Sequence, residues 1–114
     1  ELKGYKRSEI NLLMNAADVA LMTSFTEGSP QFIKESMACN LPIVSTDIGD
    51  VKHNIEKTNG CYITSHDSKE ISIKLQKALM FKKSTSGRKD IKHLDNKIIA
   101  RKILKVYKDI KIKK

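Results

Sequence analysis

Two spacings of apolar residues alternate along this chain. Val19-Ala20-Leu21-Met22, Pro42-Ile43-Val44 and Cys61-Tyr62-Ile63-Thr64 are short continuous runs. Such runs predict strands buried on both faces, as in parallel sheets. Between them apolar residues return every three or four positions, the spacing of amphipathic helices. Ser8 caps a predicted helix over 9–16, with Ile10, Leu13 and Met14 facing inward. Pro30 takes the first position of a second helix, with Ser29 as its cap. That helix runs to about Cys39, where Asn40 adopts the left-handed conformation that ends it. Asp50 caps a short helix through Ile55, and Asn59-Gly60 marks a turn. Asp67 or Ser68 opens a helix on which Ile71, Leu75, Ala78 and Leu79 share one face. A last helix, from Asp95, places Ile99, Ile103, Val106 and Ile110 on one stripe.

Strands that alternate with helices predict an α/β fold: a Rossmann-like parallel sheet with flanking helices and right-handed crossovers. Residues 1–82 form the α/β unit in this reading. Residues 83–94 are a polar linker, because Lys82 to Lys89 holds Ser-Thr-Ser-Gly and no apolar period. Residues 95–114 are a basic amphipathic helix that packs on this unit or reaches toward another.

The chain has 114 residues, room for one domain at most. Apolar residues make up 39% and aromatics only 5%, so aliphatic side chains and methionine must fill the core. No apolar run approaches the roughly 20 residues of a membrane-spanning helix, and the first residues lack a signal-peptide pattern. The chain starts at Glu1 without Met, and Leu2-Lys3-Gly4-Tyr5 reads as the tail of a strand. The expectation is a piece of a longer protein. Cys39 and Cys61 form no CxxC pair and have no histidine at zinc spacing. A reduced pair is expected, with a disulfide between them as the alternative. The net charge of +9 comes mostly from residues after Lys69. It suits solvated lysine-rich helix faces, and it also admits anionic partners.

The candidate chemistry lies where the first strand ends. Thr26-Glu27-Gly28-Ser29 would stand at the carboxyl end of a parallel strand, where ligands bind in open α/β sheets. The helix that follows presents free N–H groups and roughly half a positive charge, which favours phosphate. Pro30 has no N–H, so the donors are Ser29, Gln31 and Phe32. Gly28 lets a ligand approach the backbone closely. Glu35 lies four residues past Gln31, on the same helix face, about 7–8 Å along the axis from Pro30. A carboxylate there can accept two neighbouring hydroxyls of a ribose while the phosphate stays at the helix start. Each glutamate taken alone is an ordinary solvated side chain; Glu27 would also favour the positive helix start.

The run ADVALMTSFTEGSPQFIKESMACNLPIVSTDIGD resembles the nucleotide-sugar-binding domain of GT-B glycosyltransferases, the retaining, glycogen-synthase-like family 4 group. The likeness rests on Ala17-Asp18, Ser24 to Glu27, the two glutamates with seven residues between them, and Glu35-Ser36-Met37-Ala38-Cys39. Leu41-Pro42-Ile43-Val44, Thr46 and Gly49 add to it. It covers about residues 1–80. The EG-x-P form resembles members that build bacterial capsule, lipopolysaccharide or other surface polysaccharides.

The resemblance implies that residues 1–82 are part of the C-terminal, donor-binding domain of a GT-B enzyme. Glu27 is then the glutamate that contacts the transferred sugar, the catalytic position. Glu35 binds the ribose hydroxyls of the donor nucleotide. Gly28, Ser29, Pro30, Gln31 and Phe32 form the donor-binding turn, whose backbone approaches the sugar and diphosphate. The substrate is a nucleoside-diphosphate sugar, with no metal and no cofactor. The acceptor is a glycan or lipid-linked acceptor, held by a missing N-terminal domain, so the fragment is inactive alone. A cytoplasmic location follows, with peripheral contact at the inner membrane face. Departures from the pattern are Asn40 for Gly, Asp50 for the second Gly of a pair, His53 where Glu is frequent, and Ser36 for Ala. The family's phosphate-binding Arg/Lys pair and glycine-rich loop have no match. The alternative function is a non-catalytic α/β interaction module whose basic helix binds a membrane or a partner. Nucleic-acid binding is weaker still, because aromatics are sparse and no basic recognition motif occurs.

Overall fold

In a computed structural model, which describes residues 6–81, 84–94, 104 and 105, three short parallel strands carry the fold. β1 (Ala20–Met22), β2 (Ile43–Thr46) and β3 (Cys61–Thr64) lie in chain order across one sheet. Ala20 pairs with Ile43 and Ile43 with Cys61, so β2 is the middle strand. All four of its residues are buried, which explains why its apolar run shows no alternation. Among the described residues the helices are α1 (Arg7–Ala16), α2 (Gln31–Ala38), α3 (Val51–Ile55), α4 (Ser68–Met80) and α5 (Gly87–Asp90), with a 3-10 turn over Lys92–Leu94. The strand–helix alternation therefore matches the predicted parallel α/β sheet. Ile33 and Met37 of α2, Ile43 of β2, and Val51 and Ile55 of α3 meet in one core with Met14 and Ile91.

Several local expectations shift. α1 starts at Arg7 and not after Ser8, because the Glu9 carboxylate accepts the Lys6 N–H at 3.3 Å and so caps the earlier residue. Leu13 is 42% exposed while Met14 is buried. On α4, Ala78 is buried and Leu79 is exposed. A single residue step turns a helical side chain by about 100°, away from the strands that Ile71, Leu75 and Ala78 approach. Cys39 and Cys61 are free thiols. Burial pushes the Cys61 thiol up to about 11.

The polar stretch after Lys83 is not an extended linker over its described part. Residues 84–94 fold onto the end of α2. Thr85 donates its N–H to the Asn40 carbonyl at 3.0 Å. The Arg88 N–H donates to Asn40 Oδ1 at 2.9 Å, and Arg88 Nε donates to the Ala38 carbonyl at 2.6 Å. Gly87 passes so close that an added Cβ would lie 2.7 Å from the Met37 carbonyl oxygen. Thr58 and Ser86 hydroxyls both donate to Asp90 Oδ2 at 2.7 Å. These bonds hold the Asp90 carboxyl below its ordinary range, Thr58 first. The predicted basic helix over 95–114 lies outside the described residues, apart from Leu104 and Lys105, which are helical and exposed.

Candidate functional site

The site is built where the sheet's carboxyl edge hands over to its loops. The loop after β1 runs from Thr23 to Pro30, the loop after β2 from Asp47 to Asp50, and the loop after β3 from Ser65 to Asp67. They are tied to one another. Thr46 Oγ1 donates to the Ser24 carbonyl at 2.8 Å, and His66 Nε2 donates to the same oxygen at 3.3 Å. The Asp50 N–H donates to the Gly28 carbonyl at 3.1 Å. The Ser29 hydroxyl donates to Asp50 Oδ2 at 2.6 Å. Gly49 lies under this joint with φ 51, and a Cβ there would stand 2.0 Å from the Gly28 carbonyl oxygen. Only glycine permits both the backbone angle and the contact.

The start of α2 is consequently arranged differently from the expectation. Pro30 is the N-cap, with φ −63 and ψ 122, and Gln31 is the first helical residue. Ser29 does not cap the helix. Its hydroxyl goes to the charged Asp50 acceptor, the stronger type of hydrogen bond. Asp50 in turn precedes α3 without a side-chain cap bond to it. Among the described residues the first turn of α2 receives no side-chain cap hydrogen bond, so the N–H groups of Gln31 and Phe32 stand as helix-start donors.

The sequence-predicted residues divide by exposure. Glu27, Gly28, Ser29 and Gln31 are exposed; Phe32 and Glu35 are half-buried; Pro30 is buried. An added Cβ at Gly28 meets nothing within 4 Å, so this residue leaves open space beside the loop. Phe32 packs its ring against the core and offers the site only its backbone. Glu35 follows Gln31 by one turn, beside the buried face formed by Ile33, Ser36 and Met37. The far end of α2 behaves as expected: Asn40 has φ 56, and the Leu41 N–H returns to the Ser36 carbonyl at 3.0 Å.

Sequence reasoning missed the contacts that four residues make here. Thr46 and Gly49 belong to the motif run, but their contacts with Ser24 and Gly28 are tertiary. Phe25 and His66 stack at 4.1 Å with ring planes 3° apart, and residues 41 positions apart carry no sequence signal for this. Two cavities lie elsewhere. An apolar groove of about 560 Å³ between α1, β1 and α2 is lined by Leu13, Val19, Leu21 and Phe32. A more polar one of about 390 Å³ is lined by Asn15, Asp18, Cys39 and Phe81. Neither includes Glu27 or Glu35. Among the described residues no three His, Cys, Asp or Glu side chains gather as a metal-ligand cluster, and no helix is long and apolar enough to cross a membrane.

A family model described as glycosyl transferases group 1 matches residues 1–80. The chain is also 29% identical over 107 residues to the N,N'-diacetylbacillosaminyl-diphospho-undecaprenol alpha-1,3-N-acetylgalactosaminyltransferase of Campylobacter jejuni. That match covers 89% of this chain and 28% of the relative, so the chain spans under a third of that protein's length. No solved structure matches.

Proposed function

We propose, from the premise that this chain belongs to the glycosyl transferases group 1 family, that its loop edge is part of the site for a nucleoside-diphosphate sugar. The helix-start N–H groups of Gln31 and Phe32 receive the diphosphate, where fixed dipoles offset the charge that develops as the leaving group departs. Glu35 accepts the ribose hydroxyls. Glu27, on the exposed loop, orients the transferred sugar, and transfer proceeds with retention and without a metal. Gly28 keeps the loop surface open for the sugar. The relative's name supports a lipid-linked acceptor and an N-acetylhexosamine as the first sugar to test; surface-polysaccharide assembly is part of the proposal. The acceptor, a cytoplasmic location and peripheral membrane contact belong to the proposal for the whole protein, as does a GT-B architecture.

One observation carries this reading: Ser29 is committed to Asp50, so α2 starts at the loop edge with no side-chain cap. The test compares UDP with 2′,3′-dideoxy-UDP, and the guanosine pair in parallel, on the native chain and on Glu35→Ala. The native chain should prefer the intact ribose by at least about tenfold, as even one hydrogen bond to a charged acceptor warrants. Glu35→Ala should bind both forms equally. An undiminished ribose preference in the variant would remove Glu35 from its role.

A further inference from the structure

The donor reading leaves the outer face of one aromatic ring unused. Phe25 is 78% exposed, an unusual place for a large apolar side chain. It is not loosely attached. His66 covers one face of its ring at 4.1 Å with the planes 3° apart. His66 is itself anchored through Nε2–H to the Ser24 carbonyl. A carbonyl only accepts, so this bond places a proton on Nε2. Thr46 holds the same carbonyl from β2. Elements from all three strand ends thus fix the orientation of the ring pair, and little side-chain freedom remains to be lost when something settles on it.

A pyranose has a face of C–H groups and a rim of hydroxyls. An aromatic ring with a negative face takes the C–H side. Glu27, two residues along the same exposed loop, offers a carboxylate to the rim. We propose that Phe25, backed by His66, is a stacking platform for a pyranose ring. The ring is either the sugar carried by the donor or the terminal sugar of the acceptor. The donor case rests on the reading given under Proposed function; the acceptor case does not.

The test follows the Phe25 and His66 ring signals by NMR on the native chain. The probes are UDP-N-acetylgalactosamine, UDP alone and methyl α-N-acetylgalactosaminide, with the corresponding glucose set run in parallel. Saturable ring shifts with the nucleotide sugar and none with UDP assign the platform to the donor sugar. Shifts with the methyl glycosides at least as large assign it to the acceptor. Phe25→Leu should weaken the responding sugar probe roughly three- to tenfold and Phe25→Tyr should restore it, as an aromatic contact requires. UDP affinity should be the same in all three proteins. An unchanged amide spectrum outside the loops shows that Phe25→Leu remains folded. Silent rings with every sugar probe, or equal sugar affinity in Phe25→Leu, overturn the platform. The amides of Gln31 and Phe32 report on the donor reading separately. If they respond to UDP while the rings stay silent, the platform falls alone. If they stay silent while the rings answer methyl glycosides, the donor reading falls and the platform stands.

Discussion

At its C-terminal end α2 is closed by protein groups, whereas at its N-terminal end the same helix has no side-chain cap. Asn40 turns the chain with φ 56, and its carbonyl and side-chain oxygens receive Thr85 and Arg88. Arg88 Nε adds a bond to the Ala38 carbonyl. At the opposite end Ser29, the natural cap, serves Asp50 of the neighbouring loop. Unsatisfied helix ends cost free energy unless something receives them. The protein satisfies one end with its own groups and, among the described residues, leaves the other without a side-chain cap.

Breaking the open end's support should have the largest effect. Gly49→Ala places a Cβ within 2.6 Å of both the Glu27 and Gly28 carbonyl oxygens at a positive φ. A loss of about 2–3 kcal/mol is expected in chemical denaturation, with loss of any donor binding. Unchanged stability would mean that the two loops do not meet as described. At the closed end, Asn40→Ala should cost about 1–2 kcal/mol, combining the left-handed backbone penalty with a lost hydrogen bond. Asn40→Gly should recover the backbone part only, because the Arg88 N–H still loses its side-chain acceptor. Full recovery in Asn40→Gly would show that this bond is idle.

Ser29→Ala sharpens the comparison from the other side. It removes the bond to Asp50, about 0.5–1.5 kcal/mol, yet α2 should keep its helical amide signals, since Ser29 does not cap it. Fraying of Gln31 to Ile33 in this variant would restore Ser29 to the capping role. The closed end should also respond to acid. Hydrogen bonds from Thr58 and Ser86 lower the Asp90 carboxyl, so its contribution is complete above the unfolded value of about 3.9 and fades as pH falls through the lower folded value. Amide exchange at Gly87 and Ile91 should speed up below about pH 4, while α3 amides stay protected. Exchange rates independent of pH after correction for intrinsic chemistry would contradict this. The smallest effect on stability belongs to Gly28→Ala, within about 0.5 kcal/mol, because its Cβ meets nothing. A fall in nucleotide-sugar affinity without a fall in stability would mark the space beside Gly28 as the ligand's.

The closed framework was readable in the sequence because local rules set it. Apolar runs mark β1, β2 and β3, the asparagine after Cys39 marks the end of α2, and the Asn59-Gly60 pair marks the turn before β3, where Gly60 has φ 92. The family of residues 1–80 was readable through the motif run, while the roles of Glu27 and Glu35 belong to the proposal. The fold of residues 84–94 was not, because their polar side chains find acceptors on Asn40, Ala38 and Thr58, far away in the chain. The misassigned cap at Ser29 has the same origin. Local preference named it as the cap, and a charged acceptor 21 residues later claimed its hydroxyl. The Phe25–His66 stack depends on two loops brought together by strands, which pattern along one strand cannot foresee.

The most direct test follows the amide signals of Gln31 and Phe32 during titration with UDP and GDP, using uridine and guanosine as controls. The diphosphates should produce saturable shifts at these two amides, and the bare nucleosides should leave them unmoved. Equal shifts with the nucleosides, or diphosphate shifts confined to the start of α4, would contradict the account.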